Sequence, residues 1–245
     1  DIKLGTLGNI FVSGTSGLGW GSPERPHSGA ETDAFAAKLD PTGAIVWNTF
    51  LGDVSGYMPS AFIGLDDVNN IYVGGSSAAS WGSPVRPYSG NLDTYLAKLD
   101  SSSGALVWNT FLGGGDDQGD WWSGDSAQGL SVDANGDVVL VGASPESWSI
   151  SPSAVEPWVR AFSGGEDAFV AKVEGAGGEL LWNTFLGSAV PRFLGGVVTL
   201  DASGNVYVAG ESTGNWGTPL RAHSGGWDAF ATKIGPSGGI TWNTF

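Results

Sequence analysis

Apolar side chains come in short segments separated by clusters of Asp, Asn, Gly and Pro, and the segments recur in a fixed order. GNIFVSG (Gly8–Gly14) returns as NNIYVGG (Asn69–Gly75), GDVVLVG (Gly136–Gly142) and GNVYVAG (Gly204–Gly210). DAFAAKLD (Asp33–Asp40) returns as DTYLAKLD (Asp93–Asp100), DAFVAKVE (Asp167–Glu174) and DAFATKIG (Asp228–Gly235). The tetrad WNTF stands at Trp47–Phe50, Trp108–Phe111, Trp182–Phe185 and Trp242–Phe245, at spacings of 61, 74 and 60 residues. Self-similarity of this period marks a chain built from one repeated supersecondary unit.

Each unit reads as four short β-strands, A to D. Strand A is a brief apolar piece such as IGL (Ile63–Leu65) or LSV (Leu130–Val132), and B, C and D are the three recurring segments. Turns of the DANGD type (Asp133–Asp137) join A to B, and DPTG (Asp40–Gly43) and its relatives join C to D. These residues accept positive φ and favour tight hairpins. Strict alternation places Phe35, Ala37 and Leu39 on one face of strand C and Ala34 and Ala36 on the other. It places Ile45 and Trp47 together on one face of strand D, with Val46 and Phe50 opposite. Both faces are thus apolar, and a sheet with two apolar faces must be covered twice. The expected fold is all-β: a β-propeller of four blades, each of four antiparallel strands, with blades near residues 1–50, 51–111, 112–185 and 186–245. The ends fall between whole units, as in one module of a longer molecule.

The loop between B and C carries its own repeat: WGSPERPHSG (Trp20–Gly29), WGSPVRPYSG (Trp81–Gly90) and WGTPLRAHSG (Trp216–Gly225). In the third unit the distance from Trp148 to Arg160 is 12 residues, against 5 elsewhere. The D–A connection before Leu130 is also longer, 18 residues against 12. In a four-strand meander both insertions lie on the same rim. They bring Trp121, Trp122, Trp158 and the acids Asp116, Asp117, Asp120 and Asp125 to one side. These tryptophans, with Trp20, Trp81, Trp148 and Trp216, are candidate contact or ligand-stacking residues. The four acids are a candidate calcium cluster, and no other cofactor is expected.

Eight of the ten basic residues recur by unit: Arg25, Arg86, Arg160 and Arg221 in the loops, and Lys38, Lys98, Lys172 and Lys233 in strand C. Such placement suggests structural clamps, donating to loop carbonyls or pairing with Asp33, Asp93, Asp167 and Asp228. Asn48, Asn109, Asn183 and Asn243 are expected to hydrogen-bond between units. His27 and His223 fill a slot that Tyr88 and Phe162 hold elsewhere, so they read as aromatic fillers. No P-loop or cysteine is present, and no catalytic residues are expected. With 25 acidic and 10 basic residues, the charge of −15 argues against nucleic acid as a partner. No apolar run reaches the length of a membrane span.

The run GNVYVAG…SGGWDAFATKI…ITWNTF, with the LGG that follows an earlier tetrad (Leu112–Gly114), resembles the SBBP repeat of bacterial and archaeal β-propellers. The resemblance covers all four units. It implies an extracellular or cell-surface protein and no catalytic residues. The family name implies seven blades, whereas four units are present here; four could close alone, or two chains could form a larger ring. The expected function is a non-enzymatic structural module of a tandem array, filament or adhesin-like stalk. Its partners would be further copies or neighbouring propeller modules. The alternative is a carbohydrate-binding propeller using the Trp-rich loops.

Overall fold

The computed structural model describes residues 1–58, 60–115, 124–148, 159–188 and 193–245, with the side chains of 193–195 excepted. The chain is all-β and forms four four-stranded antiparallel sheets in sequence order. Sheet 1 comprises β1 (Ile2–Leu4), β2 (Ile10–Ser16), β3 (Asp33–Leu39) and β4 (Ile45–Leu51). Sheet 2 comprises β5 (Ser60–Leu65), β6 (Ile71–Ser77), β7 (Asp93–Leu99) and β8 (Leu106–Leu112). Sheet 3 comprises β9 (Ser126–Val132), β10 (Val138–Ser144), β11 (Asp167–Val173) and β12 (Leu180–Leu186). Sheet 4 comprises β13 (Phe193–Leu200), β14 (Val206–Ser212), β15 (Asp228–Ile234) and β16 (Ile240–Thr244). The one helical element among the described residues is a single 3₁₀ turn at Thr6–Gly8.

Short polar side chains close the turns. Asp40 accepts from the Thr42 amide (2.8 Å), the Thr42 hydroxyl (2.7 Å) and the Ala44 amide (3.0 Å), and Gly43 takes φ +87°. Asp133 caps the β9–β10 hairpin in the same way. These side chains satisfy turn amides that the strand ladders leave over.

A β-bulge interrupts the third and fourth strands of every sheet, at Lys38/Leu39, Lys98/Leu99, Lys172/Val173 and Lys233/Ile234. It changes the facing expected from alternation. Trp47 pairs with Lys38 and Ile45 with Leu39, so Ile45 and Trp47 lie on opposite faces of β4. The extra residue, Val46, Val107 or Leu181 in the first three sheets, turns to solvent. One short strand thereby serves two neighbours, since a bulge re-aims every side chain beyond it.

Sheet 1 packs on sheet 2, sheet 2 on sheet 3, and sheet 3 on sheet 4. Phe11, Ala36 and Trp47 of sheet 1 meet Ile71, Val73 and Leu99 of sheet 2. Tyr72, Leu96 and Trp108 meet Val138, Leu140 and Val173 at the second junction. Val139, Val170 and Trp182 meet Val206, Val208 and Ile234 at the third. Among the described residues no strand of sheet 4 packs substantially on sheet 1. Burial records the same order. Strands β6, β10 and β11 are buried at every position, as two covered faces require. The corresponding β2 and β14 alternate between buried and more open positions, so the two end sheets each leave one face uncovered. One strand from each sheet contributes to a shared cleft of about 400 Å³, lined by Leu4, Leu65, Leu130, Val132, Val198 and Thr199.

The opposite edge of each sheet is covered by its own loop. The Glu24 amide donates to the Asn48 carbonyl (2.8 Å) and the Phe50 amide to the Arg25 carbonyl (3.0 Å). Val85 and Arg86 do the same along β8, Val159 and Arg160 along β12, and Leu220 and Arg221 along β16 and Phe245. The WGSPxR loop therefore occupies the outer hydrogen-bonding edge of its sheet.

Candidate functional site

The chemistry-bearing residues gather where the loops meet the outer strands, on the rim and faces of each sheet. Trp81 stands edge-on to Tyr95 (5.3 Å) and Phe111 (5.9 Å), and Tyr88 meets Phe111 at 5.6 Å. Trp148 with Phe169 and Phe185, and Trp216 with Phe230 and Phe245, repeat this packing. Trp81, Trp148 and Trp216 are buried, whereas Trp20, packed on Phe35 and Phe50, is only partly covered. His27 and His223 lie edge-on to Phe50 and Phe245, as Tyr88 and Phe162 do to their own phenylalanines. The slot takes any aromatic ring, and the imidazoles add contacts from Nε2 to the Ser16 and Ser212 carbonyls.

The arginines donate to main-chain carbonyls. Arg25 reaches Phe50 (3.0 Å) and Gly52 (2.7 Å), Arg86 reaches Phe111 and Gly113 (both 2.8 Å), and Arg160 reaches Phe185 (2.6 Å) and Gly187 (2.7 Å). Arg221 donates to the Phe245 carbonyl. A planar guanidinium suits two acceptors of fixed spacing. Burial lowers the pKa of Arg25, Arg86 and Arg160, partly offset by the nearby Asp33, Asp93 and Asp167.

The recurring aspartates face serine, in place of arginine. Asp33 accepts from the Ser28 amide (2.6 Å) and hydroxyl (2.7 Å), and Asp93, Asp167 and Asp228 accept likewise from Ser89, Ser163 and Ser224. Burial pushes Asp93 up to about 6 against these bonds, and raises Asp167 in the same way. Asp228 is less buried, and its bonds from the Ser224 amide and hydroxyl hold its pKa below the ordinary carboxylate value.

Strand-C lysines divide. Lys38 donates to the Ser101 carbonyl (3.0 Å) and Lys98 to the Gly175 carbonyl (2.8 Å), each in the next sheet. They lie over the rings of Phe11 (5.5 Å) and Tyr72 (5.3 Å), and Lys233 lies over Tyr207 (5.3 Å). The third unit has Val139 where the others have an aromatic ring, and there Lys172 pairs with Asp133 (2.8 Å) and Asp137 (3.1 Å). Burial pulls the Lys172 pKa down, and the two carboxylates more than restore it. Sequence reasoning passed over these rings, although an aromatic residue at the second position of strand B recurs in three units of four.

The asparagines act within their units. Asn48, Asn109 and Asn243 donate to the carbonyls of Trp20, Trp81 and Trp216 at 2.8 Å, and Asn183 to that of Trp148 at 3.3 Å. They anchor the loop, a correction to the expected bond between units.

Trp121, Trp122, Trp158, Asp116, Asp117 and Asp120 lie outside the described residues. Asp125 is fully buried and accepts from the Gly114 amide (3.0 Å); burial raises its pKa well above the ordinary carboxylate value. Among the described residues no group of three or more His, Asp or Glu is placed to hold a metal ion. Among the described residues no helix is long and apolar enough to cross a membrane. A second cleft, about 710 Å³, is lined by Phe62, Ala127, Gln128, Val197, Ala209 and Glu211. Its lining offers one carboxylate and one amide, without a base–nucleophile pair. No protein-family model matches the chain, and no curated protein is significantly similar to it.

Proposed function

We propose that the chain is a non-enzymatic structural module of an extracellular or cell-surface assembly, its four sheets standing as blades of a β-propeller and its surfaces making repeated protein–protein contacts. The observation that carries this reading is where the recurring polar groups are used. Arginine forks bond to the last strand of their own sheet and to the glycine just past it, Ser-capped aspartates and loop-anchoring asparagines bond inside their own unit, and Lys38 and Lys98 bond to the next one. Groups committed to internal bonds are not poised for a reaction. Consecutive packing of the sheets, with one strand of each lining a common cleft, supports the radial arrangement. The SBBP-like repeat supports it from sequence.

Mass photometry and electron microscopy of the purified chain test this function, alongside an activity panel of polysaccharides, glycosides and esters. Expected are radial particles joined into assemblies, with no turnover of any substrate. Turnover, or isolated particles at every concentration, overturns it.

A further inference from the structure

The three junctions between sheets share one plan. Trp47 of β4 lays its indole on Gly104 in the β7–β8 turn and donates Nε1–H to the Ser101 carbonyl (3.3 Å). Trp108 of β8 does the same with Gly178 and the Ala176 carbonyl (3.1 Å). Trp182 of β12 does so with Gly238 and the Pro236 carbonyl (3.0 Å). Each of these glycines is buried at positive φ, and an added Cβ would stand within 3.0 Å of the indole. At the first two junctions Arg25 and Arg86 also lie over the rings of Trp81 (5.7 Å) and Trp148 (5.8 Å) in the next sheet.

A fourth set of the same parts is present and unmated. Trp242 of β16 is only partly buried, and among the described residues its indole N–H meets no acceptor. Gly43, in the β3–β4 turn at φ +87°, is exposed, with nothing within 4 Å of where its Cβ would stand. Pro41, in the place that Pro236 holds in sheet 4, is exposed as well. Apolar side chains surround both halves. Ile2, Leu4 and Ile45 on sheet 1 are 61%, 75% and 54% exposed, and Val197 on sheet 4 is 71% exposed. Ile10, Val12 and Leu39 on sheet 1 are only partly buried, whereas their sheet-2 counterparts Ile71, Val73 and Leu99 are buried.

Resting on the structural reading above, we infer that sheet 4 of one molecule packs on sheet 1 of a second copy of this chain. Trp242 seats on the second copy's Gly43 and donates to its Pro41 carbonyl, and Arg221 covers its Trp20. A second copy is the indicated occupant because the two uncovered faces carry the residues that already mate three times within the chain. Among the described residues of one molecule, no strand of sheet 4 packs substantially on sheet 1. Because the two faces differ, the contact is heterologous and generates a ring or a filament according to its rotation.

The chain and two variants, Trp242→Ala and Gly43→Asn, are compared by sedimentation velocity over a concentration series. Asn accepts positive φ and meets open space at Gly43, so that variant keeps its fold while filling the socket. Circular dichroism and thermal melting check folding in both. The wild type is expected to self-associate, and each variant to associate at least about 30-fold more weakly, the loss of one interfacial Trp. An equimolar mixture of the variants is expected to form a 1:1 dimer and nothing larger, because each keeps the one face that the other lacks. A misfolded variant could not complement. Assembly that survives both substitutions, or a mixture that stays monomeric, overturns this pairing and leaves the structural function standing. A wild-type chain that stays monomeric overturns both.

Discussion

At the scale of single residues, burial and hydrogen bonding pull the carboxylates in opposite directions. Asp93 is buried between sheet and loop, which raises its pKa to about 6 despite the Ser89 bonds and the Arg86 charge. Asp125 is raised in the same direction by its own burial. Folded molecules then hold more protons than unfolded ones between about pH 4 and 6, so stability falls as pH rises through that window. Each such group contributes a slope of at most about 1.4 kcal/mol per pH unit. Asp100 is the converse: hydrogen bonds from Ser102 and Ser103 hold it at about 2. Its contribution is present above the unfolded value and is lost as pH falls toward 2. The urea midpoint is therefore expected to rise between pH 7 and pH 5 and to fall again below about pH 3.5. Asp93→Asn should flatten the upper limb; a midpoint independent of pH between 5 and 7 would refute the burial argument.

At the scale of strands and loops, the Arg fork ties each long loop to the strand it covers. Arg86→Lys keeps the charge but cannot span the Phe111 and Gly113 carbonyls and also uncovers Trp148. A loss of about 1.5–3 kcal/mol is expected in chemical denaturation. Arg221→Lys should cost less, because Arg221 donates to Phe245 alone and covers no ring among the described residues. Equal losses would show that the fork is not what stabilises the loop. The strands were legible because apolar segments and Asp/Gly turns recur in register, and four copies average out local ambiguity. The bulge was not, although each strand D carries two residues such as Ile45 and Val46 before its Trp. Alternation alone cannot tell which of the pair is displaced. Candidate clamps were legible by recurrence, but their acceptors are carbonyls, and a carbonyl has no residue identity to read. The Asn role was misjudged for the same reason: its partner is the main chain of Trp20, Trp81, Trp148 or Trp216.

At the scale of the whole molecule, the sheets pack in series among the described residues, 1 on 2, 2 on 3 and 3 on 4, and stability is a sum of units and junctions, as in other repeat proteins. Its charge of −15 bears on any association between copies. Repulsion between like-charged molecules is screened over about 10 Å at 0.1 M salt. Self-association measured by sedimentation is thus expected to tighten as NaCl is raised from about 20 to about 200 mM. Weakening would mean that attractive charge pairs, and not apolar burial around Trp242, hold the copies together. The WGSPxR loops settle a different matter. Because each lies along the outermost strand and occupies its amides and carbonyls, no foreign strand can zip onto that margin. A protein with so many short β-segments would otherwise be a template for amyloid. Here that outer-edge route to cross-β fibres is closed on all four sheets.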